Sequence, residues 1–296
     1  MLKHLCHGEA AAQQGVKGKR ARPAVLSPTP HRLRKGAQAH EGRTGPLEKK
    51  EEEGRWEEDP THLPLRTTPN RSGCRHCPTP RCVCVWLADA LAGCYAALPA
   101  KRQLQQRGRR ELCAKSVLTP FVSRLVRLAR LRPGETFYDL GCGNGSVLFQ
   151  VALMTGVRCV GVEINPTNAE VARAAWEELR PTLERRCRRR LDIEIRCADL
   201  CEVLKGEEVV SAPCVIWAAN LLLPKATNHY LSERLRACAV GTRIFCFEDL
   251  YPHNRSITRV RDPDAFERFE MKDFVWQPMS VEWCDLEGDF YLYTRK

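Results

Sequence analysis

No stretch of this 296-residue sequence holds the run of about 18–20 apolar residues that a membrane-crossing helix needs. That excludes a helical membrane protein. Residues 1–30 also lack the apolar segment of a secretory signal. The expectation is an intracellular chain with no membrane partner. The sixteen cysteines are scattered mostly singly, and in such a compartment they read as reduced, small buried hydrophobes. A second C-x-x-C is missing too. "CRHCPTPRCVC" supplies Cys74, Cys77, Cys82 and Cys84 as one C-x-x-C and one C-x-C. Such ligands can hold zinc, but C-x-C is tighter than a usual zinc-ribbon knuckle, so the expectation is no metal.

Charge of one sign is in excess, with 47 Lys and Arg against 36 Asp and Glu, a formal net charge of +11. An acidic partner such as nucleic acid or chromatin fits that balance. Residues 1–85 show no helix or strand period and are expected to form a disordered, charged tail. It is basic at residues 17–43 and acidic at 51–59. Residues 86–130 read as a helical lead-in. "LTPFVSRLVRLARL" sets Phe121, Val122, Leu125, Leu128 and Leu131 along one helical face.

Residues 131–296 alternate strand and helix. The pattern predicts strands at 136–140, 158–163, 192–197, 213–218 and 242–248, with helices at 146–154, 166–180 and 225–237. This argues an α/β fold, a mostly parallel sheet with helices on both faces. At the end, "SVEWC" and "DFYLYT" read as an antiparallel C-terminal hairpin.

"DLGCGNG" places Asp139 before Gly141, Cys142, Gly143, Asn144 and Gly145, between the first strand and first helix. Ligands of open α/β sheets bind at that end of the strands. A dinucleotide site wants G-x-G-x-x-G with helix amides aimed at a pyrophosphate. A carboxylate inside the motif would repel a pyrophosphate. It would attract the ammonium group of S-adenosylmethionine. Glu163 ends the second predicted strand, about where a ribose-binding acid belongs. Asp199, in "CADL", follows the third, with Leu200 beside it, and can accept from an adenine amino group. Three acids at three successive strand ends, with the terminal hairpin, predict the class I S-adenosylmethionine-dependent methyltransferase fold. The Asn/Asp-Pro-Pro-aromatic signature of adenine amino methyltransferases is absent after the fourth strand.

The chain resembles the disruptor-of-telomeric-silencing (Dot-type) family, histone H3 lysine methyltransferases without a SET domain. The resemblance runs from about Leu118 to Thr294. It rests on the glycine loop with Gln150 after it, "GVE", "VIWAANLLL", a later "GTRI" and "SVEWCDLEGDFYLYT". It implies methylation of a lysine in the globular core of histone H3 on nucleosomes, in the nucleus. It implies that Asp139, Gly141 and Gly143 hold the methionine end of the cofactor, Glu163 the ribose and Asp199 the adenine. Gln150 belongs to the same cofactor set. Asn220 would reach both the cofactor and the lysine channel, with Leu222, Leu223, Trp283 and Phe290 lining or supporting that channel. Three departures stand out. Ala219 replaces the first of two family asparagines. Phe290 stands where a channel Tyr is usual, with Tyr291 following. "CAKSVLTPF" replaces a Tyr-Gly-Glu loop, leaving Lys115, Ser116 and Thr119 to cover the methionine moiety.

A lysine ammonium has no lone pair, so a narrow apolar channel beside a sulfonium would have to favour the free amine. Transfer would then be a direct in-line displacement, with the protein positioning and desolvating. DNA contacts are expected from residues 17–43, "KRQLQQRGRR" at 101–110 and "ERRCRRR" at 184–190. A monomer is expected. The competing readings are a methyltransferase for another protein or for RNA, and a cofactor-binding chromatin module with weak catalysis. A dinucleotide oxidoreductase is disfavoured by Asp139.

Overall fold

The computed structural model describes residues 63–105, 108–109, 112–251 and 255–296, without the side chains of 255–257. Residues 1–62 of the expected tail, with both its charge blocks, lie outside the described residues.

Two helices lead in, α1 (Cys84–Ala97) and α2 (Thr119–Ala129). Helix α2 starts with Pro120 in its first turn, where the missing amide costs nothing, and ends at Arg130 in a left-handed conformation. It buries Phe121, Val122 and Leu125, three of the five residues on the expected apolar stripe. The alternating part follows as β1 (Thr136–Leu140), α3 (Ser146–Thr155), β2 (Arg158–Glu163), α4 (Pro166–Cys187), β3 (Ile193–Cys197), α5 (Leu200–Lys205), β4 (Cys214–Ala218), α6 (Lys225–Leu235) and β5 (Arg243–Cys246). Then come α7 (Arg255–Arg261), α8 (Pro263–Arg268), β6 (Phe269–Trp276) and β7 (Gly288–Arg295). All five strands and three helices expected between 136 and 248 are present, with ends shifted by a few residues. The largest shift is α4, which runs past Pro181 to Cys187.

The seven strands stand in the order β3-β2-β1-β4-β5-β7-β6. The first five are parallel, and β7 enters antiparallel between β5 and β6. The order reverses beside β1, so the ends of β1 and β4 open a crevice there. Strand residues alternate between two cores. Phe137, Val215, Trp217 and Phe245 pack with α1 to α4 on one face. Tyr138, Leu140, Ile216 and Ile244 pack with α5, α6 and α8 on the other. Burial on both faces explains why these strands read as nearly continuous apolar runs.

Two expectations need correcting. The hairpin partner of β7 is Phe269–Trp276, not "SVEWC". Residues 269–276 form an eight-residue strand, long enough to pair along all of β7. "SVEWC" instead lies against residues 116–118: Leu118 N donates to Ser280 O and Glu282 N to Ser116 O. The lead-in is also not separate. Helix α2 belongs to the core of the sheet, and within the expected tail residues 63–83 have a defined place, with Cys74 and Cys77 buried.

Candidate active site

The crevice holds a cavity of about 250 Å³. Its floor is the turn after β1. Gly141 and Gly143 have φ of +97° and +56°, and a Cβ on either would meet nothing within 4 Å. Only glycine adopts such angles freely, and here it leaves open space against bare backbone. Gly145 lies off the cavity. It precedes α3, and the Phe149 ring would sit 2.7 Å from a Cβ placed there.

Asp139 lines the cavity, 1% exposed, and neither carboxylate oxygen has a hydrogen-bond partner among the described residues. Burial, with Glu163 adding like charge, holds its carboxyl well above the usual range. A buried acid without a donor calls for a cation or a donor from a ligand. Glu163 is better served. Its Oε2 accepts from Gly143 N at 2.8 Å and its Oε1 from Asn165 N at 2.7 Å. Burial still raises its carboxyl, against those backbone bonds. The Gly143 bond fixes the glycine turn to the end of β2 and leaves lone pairs for a diol. Asp199 caps α5, its Oδ1 accepting from Cys201 N at 2.8 Å. It is exposed and also lines the cavity.

Cys142, Asn144 and Leu200 line the same cavity, as do Lys115 and Ser116 from the preceding loop. The far wall is apolar, formed by Trp217, Ala219, Leu222, Leu223 and Pro224. Sequence reasoning passed over Trp217 and took Ala219 only as a departure from the family pattern. The usable signal was their place at the end of a buried parallel strand.

Besides Gly145, five expected site residues sit elsewhere. Asn220 is fully buried and its carboxamide is saturated. Its Oδ1 accepts from Phe247 N at 2.9 Å and Glu248 N at 2.8 Å, and its Nδ2 donates to Glu248 O at 3.0 Å and Asn228 Oδ1 at 3.2 Å. It staples the end of β4 to the turn after β5 and is not on the cavity wall. Phe290 packs between Phe121 and Phe274, with ring centroids 5.2 Å from each. Trp283 stands edge-on to Phe247 at 5.4 Å, with Lys115 Nζ 5.4 Å from its ring centre. Both aromatics support the wall from behind, because strand alternation at β7 turns Phe290 into the core. Gln150 ties α3 to α2, donating to Thr119 O at 2.7 Å and Ser123 Oγ at 2.9 Å. Thr119 bonds back to Cys84 O at 2.9 Å and takes no part in the cavity.

Two of the segments expected to contact DNA have internal duties. Lys101 Nζ caps the end of α1, donating to Ala96 O at 2.8 Å, and Arg102 pairs with Glu282 at 3.0 Å. "ERRCRRR" is the end of α4 and its exit, where Arg189 Nη2 donates to Leu153 O at 2.8 Å. Arg185, Arg186, Arg188 and Arg190 are exposed.

A glycine turn after β1 in a sheet of this order, with a donorless buried acid beside it and an acid at the end of β2, fits the ammonium and ribose of S-adenosylmethionine. The sheet and its site define the class I S-adenosylmethionine-dependent methyltransferase fold. A family model described as "Histone methylation protein DOT1" matches residues 115–295, more than half of the 296 residues. The chain belongs to this family. Among similar curated proteins is the "Histone-lysine N-methyltransferase, H3 lysine-79 specific" of Gibberella zeae, 23% identical over 61% of this chain and 36% of its own. The protein of the same name from Aspergillus fumigatus is 25% identical over 60% and 36%. That of Candida albicans is 28% identical over 60% and 13%. The chain thus spans about a third or less of the length of these relatives. The solved O-methyltransferase of Bacillus cereus aligns over 71% of this chain and 91% of its own, at 15% identity and a TM-score of 0.44.

Proposed function

We propose that this chain is a nuclear histone-lysine N-methyltransferase acting on a lysine in the globular core of histone H3, presented on a nucleosome. The target is the position that names its relatives, lysine 79 or its counterpart. The observation that carries the reading is the family match through the glycine turn, the end of β2 and the apolar end of β4, which together make most of the cavity.

Asp139, the backbone of Gly141 and Gly143, Glu163 and Asp199 would hold S-adenosylmethionine, which when bound supplies a sulfonium methyl group for attack by a free amine. Asp139 offers its unpartnered carboxylate to the amino-acid end. Glu163 offers the lone pairs left after Gly143 and Asn165 to the ribose. Leu222, Leu223 and Trp217 desolvate an incoming lysine and so favour its neutral form. Lys115 lies on the same cavity and adds a like charge against a substrate ammonium. The lysine proton leaves to water, and these walls position the amine rather than accept its proton. Asn220 acts as a positioning residue, fixing the loop whose neighbours form the apolar wall.

The test is transfer from labelled S-adenosylmethionine to intact nucleosomes, free core histones and RNA in parallel. Label on nucleosomal histone H3, lost in Glu163→Ala, is the expected result. Label on RNA or on free histones alone would overturn it.

A further inference from the structure

Residues 63–83 contain no helix or strand apart from turns, and only two of them are buried, Cys74 and Cys77. Beside them stand Cys82 and Cys84, and these four cysteines form a small cluster of their own with no other buried residue in it. Burial of that size does not offset the entropy of ordering some twenty residues at roughly 1–2 kcal/mol each. Something stronger has to hold the segment. All four Sγ atoms lie within 4.8 Å of one another, and Cys77 Sγ is 3.4 Å from Cys84 Sγ. A tetrahedral zinc with bonds of about 2.3 Å sets sulfur–sulfur edges of about 3.8 Å, so the cluster is already near that size.

The surroundings are those of a metal knuckle. His76 N donates to Cys74 Sγ at 3.4 Å, as backbone amides do toward coordinating sulfur. Asn70 shapes the loop. Its Oδ1 accepts from Ser72 N at 2.9 Å and Cys74 N at 3.0 Å, and its Nδ2 donates to Thr79 O at 2.7 Å. His76 is held away through Nε2, which donates to Pro278 O at 3.0 Å, and the ligand atoms that converge are the four sulfurs. The tight C-x-C spacing argued against a metal from sequence. The fold answers that argument, because Cys84 opens α1 while Cys82 lies on the incoming loop, so the two sulfurs approach from different directions.

The geometry points to a structural zinc site formed by Cys74, Cys77, Cys82 and Cys84. Each thiol releases its proton to solvent as its sulfur binds, leaving a filled site of net charge about −2. Arg127 Nη1, 3.8 Å from Cys77 Sγ, and the basic cavity of Arg81, Arg185, Arg186 and Arg188 beside Cys77 and Cys82 complement that charge. The metal links the entering segment to the methyltransferase core. Cys84 Sγ lies 2.9 Å from Ser123 Oγ of α2. Ser123 accepts from Gln150 of α3, and Tyr95 of α1 donates to Asn144 O in the glycine turn at 2.8 Å.

The experiment is metal analysis of the full chain, purified in reductant with zinc supplied, followed by replacement with cobalt(II). The expected result is about one zinc ion per chain, and a cobalt form with the strong visible absorption of tetrahedral thiolate ligation. The Cys74→Ser/Cys82→Ser variant should hold no zinc, while Cys197→Ser at an exposed cysteine should keep it. The double variant can fail to fold, so the cobalt spectrum of the wild-type chain reports the ligands independently. A reduced wild-type chain that takes up neither metal would overturn the proposal. So would zinc retained in full by the double variant, or a cobalt spectrum without thiolate ligation. Thiol counting that finds the four cysteines as two disulfides would also overturn it.

Discussion

Asp139 is the residue on which the cofactor reading turns. Its buried oxygens have no donor among the described residues, and burial raises its carboxyl in the folded chain. The folded state therefore holds that proton more tightly than the unfolded chain does. By linkage, stability then falls as pH rises from the ordinary carboxylate range through the raised folded value. Glu163, raised in the same direction by burial, adds to the slope. Thermal melts of the cofactor-free chain should show this decline. Asp139→Asn should flatten it while weakening S-adenosylmethionine binding by roughly tenfold or more, about 1.4 kcal/mol. A variant that binds as well as wild type would remove Asp139 from the site. Asn220 makes the opposite case. Asn220→Ala strands the buried amide of Phe247 and releases that of Glu248, and should cost about 1–3 kcal/mol in a denaturant titration. An unchanged midpoint with lost transfer would mean that Asn220 touches substrate instead. Asp139 and Glu163 were legible because they sit at fixed offsets from a glycine turn and a strand end. Asn220 was not, because its partners lie 27 and 28 residues away and only the β4–β5 register brings them together.

At the scale of elements, the close fit of α3 on the sheet is set by Gly161 of β2. A Cβ there would stand 2.4 Å from Leu148 Cδ1 and 2.7 Å from Cys142 Sγ. Gly161→Ala should cost about 1–3 kcal/mol by overpacking and should also weaken cofactor binding, since Cys142 belongs to the glycine turn. Calorimetry that finds affinity intact would uncouple that packing from the site. The C-terminal hairpin carries a second expectation. Phe290 sits among Phe121, Phe274 and the Arg124 side chain. Restoring a tyrosine, Phe290→Tyr, buries a hydroxyl in that cluster and should destabilise by about 1–3 kcal/mol without raising transfer. A gain in rate would return Phe290 to the lysine channel. The parallel strands were readable because burial on both faces leaves long apolar runs. The hairpin was misjudged because "SVEWC" and "FEMKDFVW" both precede β7 with strand-like composition. Pairing length, which no local pattern reports, chooses between them.

For the whole molecule, the formal excess of eleven positive charges predicts an affinity for nucleosomes that falls as salt rises. Each phosphate neutralised adds about 0.9 to the slope of log affinity against log salt. Arg185→Ala/Arg186→Ala, two exposed residues at the end of α4, should lower that slope by about 1–2 and leave S-adenosylmethionine affinity unchanged. An unchanged slope would remove these two arginines from any DNA contact. Charge excess was visible in composition, but which basic side chains are spent inside the chain was not: even Arg185 donates to Pro181 O at 3.1 Å, and Arg186 lies over the Trp86 ring. Arg189 and Lys101 are consumed by helix ends, and Arg102 by Glu282. The most direct measurement of the central claim is peptide mass spectrometry of nucleosomal histone H3 after incubation with the full chain and S-adenosylmethionine. The account predicts methyl groups on one lysine of the globular core, absent with Glu163→Ala. Methylation confined to tail lysines, or an unmodified histone in the presence of cofactor-bound enzyme, would contradict it.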